Sequence, residues 1–204
     1  PMSFYTSLNG LRNAQTELSV IANNLANAES TGFKKSRVNF ADIVSGTAST
    51  NPRMVKGIGS AVQSIDQDFS LGAVQQTGSA LDLAINGEGF FAKVNPTSGK
   101  TFFTRNGNFT MDGAGFIADS TGNRLQVLPV NAAGVVTSTT PVDAVVPLTN
   151  AAGAEFLNAT IKQDGSVYAA FADGSSQIVG KVALASFVAP SGLLQIGGQN
   201  WQAT

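Results

Sequence analysis

The 204-residue chain contains no cysteine and no histidine. These absences remove disulfides, thiol nucleophiles, Cys/His metal centres and every catalytic arrangement that uses imidazole as its base. Charge is scarce too. Lys, Arg, Asp and Glu make up 12% of the residues, about half the ~25% of an average soluble protein. Twelve basic side chains nearly cancel 13 acidic ones. A chain so balanced has no field to steer nucleic acid or an anionic lipid surface toward it. Weakly charged surfaces do pack readily against copies of themselves, because little repulsion or desolvation opposes the contact. No run approaches the ~20 apolar residues of a membrane span, and no basic stretch leading into an unbroken apolar segment marks a Sec-type signal. Neither nucleic-acid binding nor membrane insertion is expected, and export would use a route without a cleaved Sec signal.

Against this sparse background the opening residues are strongly patterned. Phe4, Leu11, Leu18 and Leu25 recur every seven positions, and Ser7, Ala14, Ile21 and Ala28 follow three residues behind them. This is the seam of a helix that lies against other helices. A helix from Ser3 to Ala28 reaches ~39 Å at ~1.5 Å per residue, and leaving its large seam side chains in water forgoes ~1.5–3 kcal/mol each. The residues between are too polar for a helix buried all round. The seam Phe4, Leu11, Ala14, Leu18, Ile21 and Leu25 is therefore expected to form an interface between subunits rather than to pack on the chain's own sheet. Gly10 costs ~1 kcal/mol relative to Ala inside a helix, tolerable where a neighbour approaches closely.

Beyond the helix the composition changes twice. Glu29-Ser30-Thr31-Gly32 ends in a helix-stopping Gly, so residues 1–32 read as one axial helix. Residues 33–60 mix basic residues, Ser and Asn51-Pro52 without a sustained period and read as an extended connector. From residue 61 to 204 short runs of Val, Ile, Phe and Thr alternate with Asn86-Gly87, Asn106-Gly107, Asp112-Gly113, Gly122-Asn123, Asp164-Gly165 and Asp173-Gly174, the signature of antiparallel hairpins. Leu81, Leu83 and Ile85 alternate, as do Leu157, Ala159 and Ile161, then Val167, Ala169 and Phe171, each predicting a strand with one buried face. Paired Phe90-Phe91 and Phe102-Phe103 predict strands apolar on both faces. Residues 130–150, with Pro141 and Pro147, read as an edge region or the root of a small outer lobe. The fold class is mainly β: an antiparallel β-rich body with one long N-terminal α-helix and an extended connector. No second heptad helix follows Leu193.

Chemistry-bearing clusters are few. Asp66, Asp68 and Asp82 are the one set that could pair carboxylates for general acid–base work, but alternating acids on a strand are ordinarily its solvated face. Gly57-Ile58-Gly59 and Gly87-Glu88-Gly89 lack the third Gly, or the Lys-Ser/Thr, of a phosphate loop. The cluster Lys34, Lys35 and Arg37 is too narrow for nucleic acid and reads as solvated. Asn108-Phe109-Thr110 and Asn158-Ala159-Thr160 match the N-glycosylation pattern by chance. No catalytic residue, cofactor or metal ligand is assigned.

Ile21-Ala-Asn-Asn-Leu-Ala-Asn-Ala-Glu-Ser-Thr-Gly-Phe33 resembles the "ANNLAN...TGF" signature of bacterial flagellar rod and hook proteins. Thr77-Gly-Ser-Ala-Leu-Asp-Leu-Ala-Ile-Asn-Gly-Glu-Gly-Phe-Phe91 and Thr104-Arg-Asn-Gly-Asn-Phe109 are similar to that family's next two blocks, in the same order. The resemblance covers nearly the whole chain. It implies an exported, non-enzymatic axial subunit whose terminal helices stack into an inner tube while β domains form outer layers. The implied partners are copies of itself and adjoining rod, hook–filament junction and hook-cap proteins. It also implies roles for Asn23, Asn24 and Asn27 in hydrogen bonds between packed helices, for Gly32 in ending the helix, and for Phe33 in anchoring its exit. Ser3-Phe4-Tyr5-Thr6-Ser7-Leu8, Val38-Asn-Phe-Ala-Asp42 and Ile65-Asp-Gln-Asp-Phe69 look most like the hook, the extracellular joint between rod and filament. The short body, without the large outer domain that many hook members insert, looks more like the periplasmic distal rod. The hook is the first reading, the distal rod the second, and a non-flagellar β-rich binding domain the third.

Overall fold

The computed structural model describes residues 2–45 and 56–203. It divides into two compact units, Pro1–Ser70 and Leu71–Thr204. The first unit holds α1 (Met2–Ala26), β1 (Ser36–Ser45) and β2 (Lys56–Gln67), the two strands pairing antiparallel. The stretch read as a loop-rich connector is thus largely a hairpin, and its unit runs to Ser70 rather than to residue 60. Its period was hidden by register shifts between Asn39 and Phe40 and between Ile43 and Val44. Each such irregularity breaks the two-residue alternation by which strands are recognised. On either side of the first shift the order is clear: before it Val38 faces Ile65, Arg37 faces Asp66 and Asn39 faces Ser64, and after it Phe40 faces Val62. The residues around Asn51-Pro52 lie outside the described ones.

The base of this hairpin is clamped by groups that the sequence suggested were solvated. Lys34 is buried and its Nζ donates to the Ser70 carbonyl at 2.8 Å. Lys35 pairs with Asp68 at 3.1 Å, and the Asp68 amide donates to the Lys35 carbonyl. Hydrogen bonds from Ser70, with Lys35 beside them, hold the Asp68 carboxyl far below its ordinary range.

The second unit is a β body whose strands follow in chain order: β3 (Phe90–Val94), β4 (Thr101–Thr104), β5 (Thr110–Met111), β6 (Ile117–Ala118), β7 (Arg124–Leu128), β8 (Val142–Asp143), β9 (Phe156–Ile161), β10 (Ser166–Phe171), β11 (Ser176–Val182), β12 (Leu184–Ala185), β13 (Leu194–Gly197) and β14 (Asn200–Gln202). Its main path runs β13-β14-β4-β3-β7-β11-β10-β9, with β12, β5, β6 and β8 branching from it. Six turns share one pattern. At 112–116, 119–123, 131–135, 150–154, 162–166 and 171–175 the first amide donates to the fifth residue's carbonyl, and the fourth residue, always Gly, donates back to the first. Each of those glycines has φ between 79° and 89°, the left-handed position of a bulged hairpin. In four of them a leading Asp or Asn, at 112, 119, 131 or 150, also accepts two following amides through its Oδ1.

The core gathers Phe91, Phe109, Ile117, Leu125, Val127, Ala144, Val146, Val167, Ala169 and Phe171, among others. Phe90, next to Phe91, joins Phe187 and Trp201 edge-to-face, so β3 is apolar on both faces as its sequence predicted. Two readings change. Leu81, Leu83 and Ile85 pack against the core but form no strand, and the Leu83 amide donates to the Gly107 carbonyl. A register shift between Ala170 and Phe171 places Phe156 opposite Phe171 and leaves Leu157 64% exposed, outside the face its alternation predicted. In the 130–150 stretch β8 joins the sheet at an edge, pairing with β7, and Ala144 and Val146 are fully buried.

Candidate assembly interface

Helix α1 has two differently used faces. Asn9, Asn13, Thr16, Val20, Asn24 and Asn27 fall at steps of three and four and are its less exposed stripe, together with Leu8. Asn13 Nδ2 donates to the Ser60 carbonyl at 2.9 Å and to its Oγ at 2.8 Å. Asn24 Nδ2 donates to the Ser36 carbonyl at 2.8 Å, and the Ser36 amide returns a bond to Asn24 Oδ1 at 2.9 Å. That reciprocal pair copies the exchange of a β ladder with a side-chain amide, and fastens the helix to the start of β1. The helix has no acid in its first turn and no base in its last, so it takes no help from its dipole, and hairpin packing and these amides hold it.

The other face is the heptad seam. Phe4 is 69% exposed, Leu11 67%, Leu18 66%, Ile21 53% and Leu25 76%, and Ala14 is exposed too. The structure therefore brings the predicted seam residues onto one face of one helix and leaves them uncovered. A methyl at Gly10 would meet nothing within 4 Å, so packing within the described chain does not require its glycine.

Two of the three asparagines that the resemblance singled out make bonds within the chain. Asn24 bonds to Ser36 of its own chain and Asn27 Nδ2 to the Asn23 carbonyl at 2.9 Å, which leaves Asn23 exposed at the helix end. The hairpin begins ten residues after α1, near enough along the chain for Ser36 to meet Asn24. Gly32 does not end the helix: α1 stops at Ala26 and a run of turns follows, so Gly32, with φ 74°, only turns the chain ahead of β1, and Phe33 beside it is half-buried. Asn13 was missed from sequence; the signal for it was the polar stripe opposite the seam.

Each candidate carboxylate is engaged within its own unit. Asp66 accepts from Asn39 and Ser64, Asp68 is held by Lys35 and Ser70, and Asp82 accepts from Thr77. The blocks at 77–91 and 104–109 instead fasten one another. Arg105 Nη1 donates to the Gly87 carbonyl at 2.8 Å, and the Leu83 amide to the Gly107 carbonyl at 2.9 Å. Thr104 Oγ1, fully buried, donates to the Gln199 carbonyl at 2.7 Å, tying the same corner to β13 and β14.

Comparison with known proteins bears on both units. Residues 4–34 match the family model "Flagella basal body rod protein", and residues 84–169 match "Flagellar hook protein FlgE/F/G D1 domain". The flagellar basal-body rod protein FlgG of Bacillus subtilis is 37% identical over 206 residues, covering 96% of this chain and 70% of that protein. The chain belongs to the flagellar hook and rod protein family. The hook protein FlgE of Treponema pallidum is 41% identical over 136 residues, 61% of this chain and 29% of that protein. The hook protein FlgE of Salmonella typhimurium is 41% identical over 111 residues, 54% of this chain and 26% of that protein. This chain thus spans under a third of those hook proteins. Members of the hook and rod family are structural rather than enzymatic, in keeping with the separate structural uses of Asp66, Asp68 and Asp82.

Proposed function

We propose that this chain is an axial subunit of the flagellum that polymerises into a tube and transmits torque, with the α1 seam as its helix-to-helix contact. The observation that carries the reading is the division of α1 into two faces. Its amides are spent on its own hairpin, while Phe4, Leu11, Leu18, Ile21 and Leu25 remain exposed. Burying them against neighbours supplies the association energy. Copies of the chain and adjoining axial proteins are its partners, reached after export without a cleaved Sec signal.

Two stations on the axis fit this role. The body favours the distal rod, in the periplasm: the likeness to the Bacillus rod protein runs through 96% of the chain, and the 130–150 stretch joins the sheet at an edge rather than opening into an outer domain. The extracellular hook is favoured by the higher identity, 41%, of the shorter matches and by the opening residues. Electron microscopy of basal bodies from a strain deleted for this gene separates the two. Truncated rods place the chain in the distal rod, and complete rods without hook place it in the hook. Intact hooks and filaments would remove it from the axis.

A further inference from the structure

The sequence has three Asn-Gly pairs: Asn9-Gly10, Asn86-Gly87 and Asn106-Gly107. Such pairs share an intrinsic reaction in which the glycine amide nitrogen attacks the asparagine side-chain carbonyl carbon. Local structure decides whether the nitrogen can reach it.

The structure treats the three differently. Asn9-Gly10 lies inside α1, where the backbone is fixed in helical hydrogen bonds, and Asn9 Nδ2 lies 3.7 Å from the position of a Gly59 Cβ. Asn106 Oδ1 accepts the Asn108 amide at 3.0 Å. Gly107 is buried, and a methyl on it would sit 1.8 Å from the Leu83 carbonyl oxygen, so that pair cannot swing. Asn86 and Gly87 are both exposed and lie in a non-repetitive bend. Neither the Asn86 side chain nor the Gly87 amide makes a hydrogen bond among the described residues, and the space where a Gly87 Cβ would stand is empty.

We propose that Asn86-Gly87 is a site of spontaneous succinimide formation in the folded protein, and that the other two pairs are protected. The Gly87 nitrogen gives its proton to solvent and bonds to Asn86 Cγ, and the Cγ–Nδ2 bond breaks with release of ammonia. Water then opens the ring at either carbonyl. The net change consumes one water and leaves an aspartate or, with the main chain rerouted through the side chain, an isoaspartate. The new carboxylate stands two residues before Glu88. In the isoaspartate the backbone gains a carbon just ahead of the Gly87 carbonyl that Arg105 holds at 2.8 Å, so the corner joining the two body blocks loosens.

Trypsin places the three asparagines in separate peptides, because Arg12, Lys56, Lys93, Arg105 and Arg124 divide them. Purified folded protein is aged at mildly alkaline pH and sampled by mass spectrometry, with isoaspartate methyltransferase labelling as a second readout. Acid and isoaspartyl forms accumulate in the 57–93 peptide about tenfold faster than in the other two, a barrier difference of ~1.4 kcal/mol. The same ageing of the free tryptic peptides brings the three rates together, and Asn86→Gln removes the signal from 57–93. Equal rates in the folded protein, or a signal that survives Asn86→Gln, would overturn the proposal.

Discussion

Gln199 has φ 55° and follows Gly198 at φ 57°, where the β13–β14 hairpin turns between the paired residues Gly197 and Asn200. Two successive positive φ angles are what a type I′ turn demands, and Asn-Gly or Gly-Gly meets it without a Cβ clash. A left-handed residue other than Gly costs roughly 1–2 kcal/mol, while the extra freedom of Gly in the unfolded chain returns about 0.5–1 kcal/mol of that. Gln199→Gly should therefore stabilise the body by ~0.5 kcal/mol, read as a raised urea midpoint at unchanged slope. The backbone carbonyl that Thr104 holds is kept. A second residue-scale contrast lies in the turn at 112–116, where sequence pointed to Asp112-Gly113. The left-handed residue is Gly115, at φ 89°, and a Cβ there would lie 2.2 Å from the Val146 carbonyl oxygen, whereas Gly113 faces open space. Gly115→Ala should cost ~3 kcal/mol or more and Gly113→Ala less than ~0.5 kcal/mol. Equal losses in thermal melts would contradict the turn geometry.

Among the elements, β3 and the turn at 119–123 are joined by a buried ion pair, Lys93 with Asp119. Burial alone pushes the Asp119 carboxyl up, but bonds from Lys93, Thr121 and the Asn123 amide outweigh it and bring the pKa to about 2 from an ordinary 3.8. Burial also lowers the Lys93 pKa, against the pull of Asp119. Because the unfolded chain binds the Asp119 proton first, this stabilisation is complete above 3.8 and lost as the pH falls toward about 2. It amounts to ~2 kcal/mol. Urea melts from ~pH 5 to ~pH 2 should show that loss, and Asp119→Asn should flatten this part of the slope while costing ~3 kcal/mol near neutrality, where Lys93 is left buried without a counter-charge. Element-level features were unevenly legible. The helix, β10 and the two-faced β3 follow an unbroken period, so they could be read directly. Hairpin β1–β2 and the outward Leu157 could not, since each depends on an extra residue that one strand inserts opposite its partner. The Lys93–Asp119 pair joins residues distant in sequence, and only the fold brings them together.

At the scale of the whole molecule, the seam was legible because a heptad repeat is a local property, whereas the neighbour proposed for it lies outside the chain. The structure adds one constraint: the seam side chains are already exposed in the single chain, at 66% for Leu18 and 76% for Leu25. Replacing both with Asp should then leave the two compact units folded, with a loss of about 1–2 kcal/mol or less, the cost of two poorer helix formers and of a carboxylate in the last turn of α1. In the polymer the same carboxylates would be buried without partners, several kcal/mol against each contact. Assembly of the full-length subunit into tubes, followed by electron microscopy and sedimentation, should be abolished in Leu18→Asp/Leu25→Asp. A control pair on the opposite stripe, Asn13→Ala/Asn24→Ala, should behave in reverse order, weakening the fold of the first unit before it affects assembly, since it removes the bonds to Ser60 and Ser36. Normal tubes from the seam mutant would show that α1 meets no neighbour. Collapse of its melting transition would show instead that the seam is part of the chain's own core.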